Sequence, residues 1–67
     1  MELSARNQLN GVVSAVHGDG VMSEIVVTIE PTEITAVITK ASADRLRLIK
    51  GDRVTVIIKS TEVIIGK

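Results

Sequence analysis

Sixty-seven residues leave room for one domain, and a chain of this size buries only about 60% of the surface its unfolded form exposes, so it is marginal on its own. Eight basic residues balance eight acidic ones, which excludes the positive footprint that drives sequence-independent nucleic-acid binding. Phe, Tyr, Trp and Cys are absent and there is a single His, so neither aromatic anchors, nor disulfides, nor a His/Cys cation site can supplement the core.

Hydrophobic residues nevertheless make up 45% of the chain, mostly Val and Ile. That is more than one small barrel can hide, and the surplus points to association with further copies of itself. No apolar stretch approaches the roughly 18 residues of a membrane span, and no signal-like run follows Glu2 and Arg6. The expectation is a soluble cytoplasmic protein, with which the lack of Cys is compatible.

The chain opens on Ser4-Ala5-Arg6-Asn7-Gln8-Leu9-Asn10-Gly11, a polar segment in front of an otherwise strand-forming sequence. Its small residues leave backbone N–H groups unhindered. A hydroxyl, an amide and a guanidinium lie within a few positions, a donor set able to capture an oxyanion without a metal. The same composition also suits an ordinary tail leading into the first strand. Leu9 to His17 reads as that strand, with Leu9, Gly11, Val13 and Ala15 on one face and Asn10, Val12, Ser14 and Val16 on the other. His17-Gly18-Asp19-Gly20 then supplies the glycines a hairpin turn needs for positive φ. No Lys-Ser/Thr pair and no helical pattern follow it, so a phosphate loop is disfavoured. His17 has no second His, Cys or Ser-Asp pair to build a constellation around it.

Met22 to Ile29 alternates as a second strand, with Ile25, Val27 and Ile29 facing inward. Glu30-Pro31-Thr32-Glu33 breaks it, because proline removes a donor and restricts its neighbour. Ile34 to Thr39 is the third strand, Ile34, Ala36 and Ile38 against Thr35, Val37 and Thr39. From Lys40 to Ile49 the period becomes helical through Ala43, Leu46 and Ile49 or Leu48. Ser42 is the expected N-cap, Asp44 lies in the first turn and Lys50-Gly51 closes the helix. Arg45, Arg47 and Lys50, beside Asp44 and Asp52, read as a solvated face.

Arg53 to Lys59 is the fourth strand and Glu62 to Ile65 a short fifth. In Val54 to Ile58 and Val63 to Ile65 both faces are apolar, as in a strand covered by its own core on one side and by another subunit on the other. Five strands, with one short helix between the third and fourth, predict an all-β fold. It is a small five-stranded OB-like barrel, partly open, forming one domain over residues 1–67.

No catalytic constellation emerges. Glu30 and Glu33 flank a proline turn where solvent keeps them ordinary, and a non-enzyme is expected. Lys59-Ser60-Thr61 is like the end of a phosphate-binding loop, but Ile57 and Ile58 stand where that loop needs glycines. It makes better sense as a second donor cluster, able to face the Ser4-to-Asn7 segment in the same chain or in a partner.

Ser4-Ala5-Arg6-Asn7-Gln8-Leu9 followed by Gly11 and Val12 resembles the opening of the molbindin or Mop family, small molybdate-binding domains related to the TOBE domains of transport ATPases. The resemblance continues through Val21-Met22-Ser23-Glu24-Ile25, Ile34 to Thr39, Gly51-Asp52-Arg53-Val54 and Ile58-Lys59-Ser60-Thr61-Glu62-Val63, covering nearly the whole chain. It implies the same order of strands and helix, molybdate or tungstate as ligand and no cofactor. It further implies a homo-oligomer, a hexamer built as a trimer of dimers, that stores or buffers the ion.

In that family likeness the ion lies between subunits, held by Ser4, Ala5, Arg6 and Asn7 of one chain, Arg6 chiefly through its backbone N–H, and by Lys59 and Ser60 of another. A second site is implied where copies of the hairpin meet near a symmetry axis, at His17, Gly18, Val21, Met22 and Ser23. Met22 stands where the family more often has Asn, which removes an amide donor there. The alternative is a small dimeric DNA-binding regulator, since Lys50-Gly51-Asp52-Arg53-Val54 through Ile65 resembles half of a swapped-hairpin barrel of the AbrB type. Such regulators usually present a basic surface and a Gly-Arg-Ile-like signature, and nucleic-acid-reading barrels want stacking aromatics. None of these is found, so neither nucleic acid nor membrane is an expected partner.

Overall fold

The computed structural model describes residues 5–67. In chain order it runs β1 (Asn7–Gly18), β2 (Met22–Ile29), β3 (Thr32–Thr39), α1 (Lys40–Leu46), β4 (Arg53–Ile58) and a 3-10 turn (Ser60–Glu62). The strands form one sheet in the order β3-β2-β1-β4, antiparallel throughout. This is the all-β, OB-like class expected from the sequence, with its one short helix between the third and fourth strands.

The expected fifth strand is not formed. The 3-10 turn carries the chain off the end of β4, and Val63 to Ile65 continues without regular structure, Ile64 93% and Ile65 86% exposed. A segment apolar on both faces finds no second layer in its own chain to cover it.

The plain alternation expected for β1 is also broken. Val13 pairs with Val27, and after a slip Ala15 pairs with Val26 and Val16 with Ile25. The β-bulge reverses the facing of every residue beyond it. Val16, and not Ala15, therefore shares the inner face with Val13, Ile25 and Val27. Local hydrogen bonds secure the irregularity. The Ser14 hydroxyl reaches Val26 O at 3.2 Å and Glu33 Oε2 at 3.3 Å. The Val13 N–H donates to Asp52 O at 2.8 Å and the Gly51 N–H to Val13 O at 2.7 Å.

The core consists of Val13, Ile25, Val27 and Ala43, with Ile29, Ala36, Ile38, Leu48, Val54 and Val56 packed around it. Gly11 lies against this core with no space to spare. A Cβ there would sit 2.6 Å from Val27 Cγ1 and 2.8 Å from Thr28 O.

The helix differs at both ends from the sequence expectation. Thr39 is the N-cap in place of Ser42, its Oγ1 accepting the Ser42 N–H at 3.1 Å, so β3 passes directly into α1. Asp44 consequently falls beyond the first turn, where it pairs with Lys40 at 2.8 Å. The helix stops at Leu46 because Arg47 turns left-handed (φ 53°). The Arg47 N–H then bonds Asp44 O at 3.0 Å and the Leu48 N–H bonds Ala43 O at 3.2 Å, the double closure of a Schellman end. Gly51 (φ 98°) serves a separate turn, in which the Asp52 N–H bonds Ile49 O at 3.1 Å and Asp52 Oδ2 accepts the Ile49 N–H at 3.0 Å. No helix among the described residues is long and apolar enough to cross a membrane.

The β1–β2 hairpin turns at Gly20 (φ 100°), and the Asp19 carboxylate caps it by accepting the N–H groups of Met22 at 2.7 Å and Val21 at 3.1 Å. Those two bonds, the one from Met22 foremost, hold the Asp19 pKa below its ordinary 3.8.

Three outcomes are expected from this geometry. Gly11→Ala overpacks the core and lowers stability by about 1–3 kcal/mol in denaturant titration, whereas Gly66→Ala, with open space around it, leaves the midpoint unchanged. Arg47→Gly relieves a left-handed side chain and raises stability by about 1 kcal/mol, read as a higher melting temperature. For Asp19, a depressed folded-state pKa means a contribution present above the unfolded value and lost as pH falls through the folded one. The Val21 and Met22 amide resonances should therefore titrate with a midpoint below 3.8, and Asp19→Asn should abolish that step.

Candidate functional site

Antiparallel pairing sets Asn7, the first residue of β1, opposite Ile58, the last of β4. The segments just outside the sheet, Ala5-Arg6 before β1 and Lys59-Ser60-Thr61 after β4, therefore leave it at the same end. They line a shared open cleft of about 450 Å³. Two side chains from β1 hold its edge together. Asn7 Nδ2 donates to Ile58 O at 3.2 Å, and Gln8 Nε2 donates to Ala5 O at 3.2 Å.

Four of the five lining side chains can donate and the fifth is a small apolar one. Ala5 is buried, whereas Arg6, Lys59, Ser60 and Thr61 are exposed, offering a guanidinium, an ammonium and two hydroxyls. In the 3-10 turn the Glu62 N–H bonds Lys59 O at 2.9 Å and the Val63 N–H bonds Ser60 O at 3.4 Å. The Ser60 and Thr61 N–H groups at its open end have no acceptor within the turn. Among the described residues, no carboxylate lines the cleft. Such a surface favours an anion with several acceptor oxygens.

Of the first cluster expected from sequence, Ala5 and Arg6 line the cleft. Asn7 does not, its side-chain amide being directed to Ile58 O, and Ser4 lies outside the described residues. Of the second cluster, Lys59 and Ser60 line it, joined by Thr61. Gln8 was not among the expected site residues. A reach from a side chain to a carbonyl three residues earlier leaves no periodic or compositional trace in the sequence.

The hairpin end of the sheet is of opposite character. His17, Gly18, Asp19, Met22, Glu24 and Val37 line a shallow cavity of about 370 Å³. Val21 stands outside that lining, 73% exposed, and Ser23 is buried behind Gly18, where a Cβ would come 3.5 Å from Ser23 Oγ. Two carboxylates, Asp19 and Glu24, face this cavity, and Asp19 already takes up the Val21 and Met22 amides. Within one chain an incoming anion meets repulsion here and must displace a carboxylate. Among the described residues, no three His, Asp or Glu side chains gather closely enough to hold a metal cation.

Comparison with known proteins bears on this arrangement. Residues 3–65 match the TOBE domain. The chain is 42% identical over 66 residues to the molybdenum transport protein ModE of Azotobacter vinelandii, a match over 97% of this chain that spans only 24% of ModE. It is 41% identical to molybdenum-pterin-binding protein 3 of Clostridium pasteurianum, over 97% of both chains. Its structure superposes on that of a molybdate-binding protein from Sporomusa ovata with a TM-score of 0.95 at 39% identity, covering 100% of each. With the domain match over residues 3–65, 41% identity to a protein of the same length and a fold shared from end to end, the chain belongs to the TOBE domain family, as a domain of the Mop type.

Proposed function

We propose that this Mop domain binds a tetrahedral oxyanion, molybdate or tungstate, in the cleft between the start of β1 and the end of β4, and stores or buffers it in the cytoplasm. The observation that carries the reading is the meeting of Ala5 and Arg6 with Lys59, Ser60 and Thr61. These segments lie at opposite ends of the sequence, both are rich in donors, and among the described residues no acid stands between them. The molybdate-binding protein from Sporomusa ovata, alike over its full length, supports molybdate as the ion. The chain binds the ion without transforming it.

The dianion must exchange its water for several hydrogen bonds, each to a charged acceptor contributing about 1.5–3 kcal/mol. Five or six of them amount to roughly 8–18 kcal/mol gross, enough to leave micromolar affinity, about −8 kcal/mol, after ordering and desolvation. Ser4 completes the set on this reading. Sulfate offers the same acceptors, so selectivity rests on a cavity sized for the larger ion.

Assembly belongs to the same proposal. The chain exposes 5476 Å², against about 4,100 Å² for a folded monomer of 7.1 kDa, an excess comparable to one or two standard interfaces. Ile64, Ile65, Leu46 and Ile49 are among the exposed apolar side chains. A homo-oligomer, a hexamer by family likeness, covers them and lets a partner's donors join the cleft. The cytoplasm suits a chain that has no cysteine to oxidise. The DNA-binding alternative gains no support from a neutral chain that lacks aromatic residues.

Calorimetric titration with molybdate is the direct test. Wild-type protein should bind with micromolar or tighter affinity, Lys59→Ala and the pair Ser4→Ala with Ser60→Ala should each weaken it at least about tenfold, and the oligomer should persist. Unchanged affinity in these variants, or equal competition by sulfate, would refute the assignment.

A further inference from the structure

One donor of the proposed cleft has its direction set from outside it. Gln8 is exposed on β1 opposite Ile57 and is not among the residues that line the cleft. Its Nε2 nevertheless donates to Ala5 O at 3.2 Å. That carbonyl and the Arg6 N–H belong to one peptide unit. The unit is trans, since Glu30–Pro31 is the only cis bond among the described residues, and in a planar trans unit C=O and N–H point in opposite directions.

Drawing the Ala5 carbonyl out to Gln8 therefore turns the Arg6 N–H away from Gln8, and Ala5 and Arg6 are both residues that line the cleft. No acceptor among the described residues takes this N–H. The unit also lies before the first ladder residue of β1, Asn7, so no strand pairing fixes its rotation. Gln8 supplies the local restraint on that peptide plane.

We infer that Gln8 is a positioning residue for oxyanion binding, holding the Ala5–Arg6 peptide so that the Arg6 N–H is presented to the ion. The inference rests on the reading of the cleft given above. It separates two contributions of Arg6, a mobile guanidinium and a backbone donor aimed in advance. A preset donor loses less entropy on binding than one that must be ordered by the ligand. It also explains why an exposed strand residue is turned back along its own chain instead of into solvent.

The test uses the intact protein with sodium molybdate as the probe. Gln8→Ala removes the amide, and Gln8→Glu keeps the length but at neutral pH offers a carbonyl only acceptors. Both should bind molybdate about tenfold more weakly, with melting temperature and oligomeric state unchanged. In the wild type the Arg6 amide resonance should shift on adding molybdate, and in both variants the shift should shrink, a response that general loss of packing does not produce. If wild type binds molybdate but either Gln8→Ala binds it equally well or the Arg6 amide does not respond, Gln8 has no such role and the cleft stands. If wild type binds none, the cleft reading fails and takes this inference with it.

Discussion

Two hydrogen bonds at Val13, one from its N–H to Asp52 O and one to its carbonyl from the Gly51 N–H, are the constraint on which the rest of the molecule depends. They are made where β1 bulges, and they fasten the turn that launches β4. From that point the β1–β4 ladder runs without a slip from Val12–Arg53 to Asn7–Ile58. A displacement of one residue would turn every side chain of β4 to the other face. It would also move Lys59 and Ser60 out of register with Ala5 and Arg6. The walls of the cleft are thus aligned by a contact at the far end of the same strand pair.

The parts of the fold that were legible in the sequence are those governed by local period. β2 occupies the residues its alternation marks, Met22–Ile29, and the helix appears where the period changes. The parts that were not legible depend on distant partners. Ser14 gives no sign of a bulge, because what stabilises it is Glu33, Val26 and the Gly51-Asp52 turn, brought together only by folding. Both Thr39 and Ser42 can cap a helix, and the choice fell to the residue that ends β3. Arg47 closes the helix in a conformation that favours glycine, which no propensity scale would suggest. The apolar pattern of Val63 to Ile65 reads as a strand, but pattern does not say which chain is to cover it.

The candidate site was legible in the same uneven way. Donor-rich composition singled out both ends of the chain, and the structure brings Ala5 and Arg6 against Lys59 and Ser60. Composition could not distinguish a residue that faces the cleft from one that braces it. Asn7 has the chemistry of a ligand, yet its amide spans the strand pair to Ile58 O. A core of four buried aliphatic residues without a single aromatic ring leaves such braces an unusual share of the task of fixing the cleft's shape.

The hairpin shows what a filled site looks like on the same molecule. Asp19 Oδ1 sits on the Val21 and Met22 amides as an anion that cannot diffuse away. A tethered group competes at an effective concentration on the order of millimolar or higher. Any free anion must exceed that level before it can hold these amides in its place. The two ends of the sheet thus differ in what an anion would meet: at the hairpin the Val21 and Met22 amides already have a tethered acceptor, and at the 3-10 turn the leading amides have none within the turn.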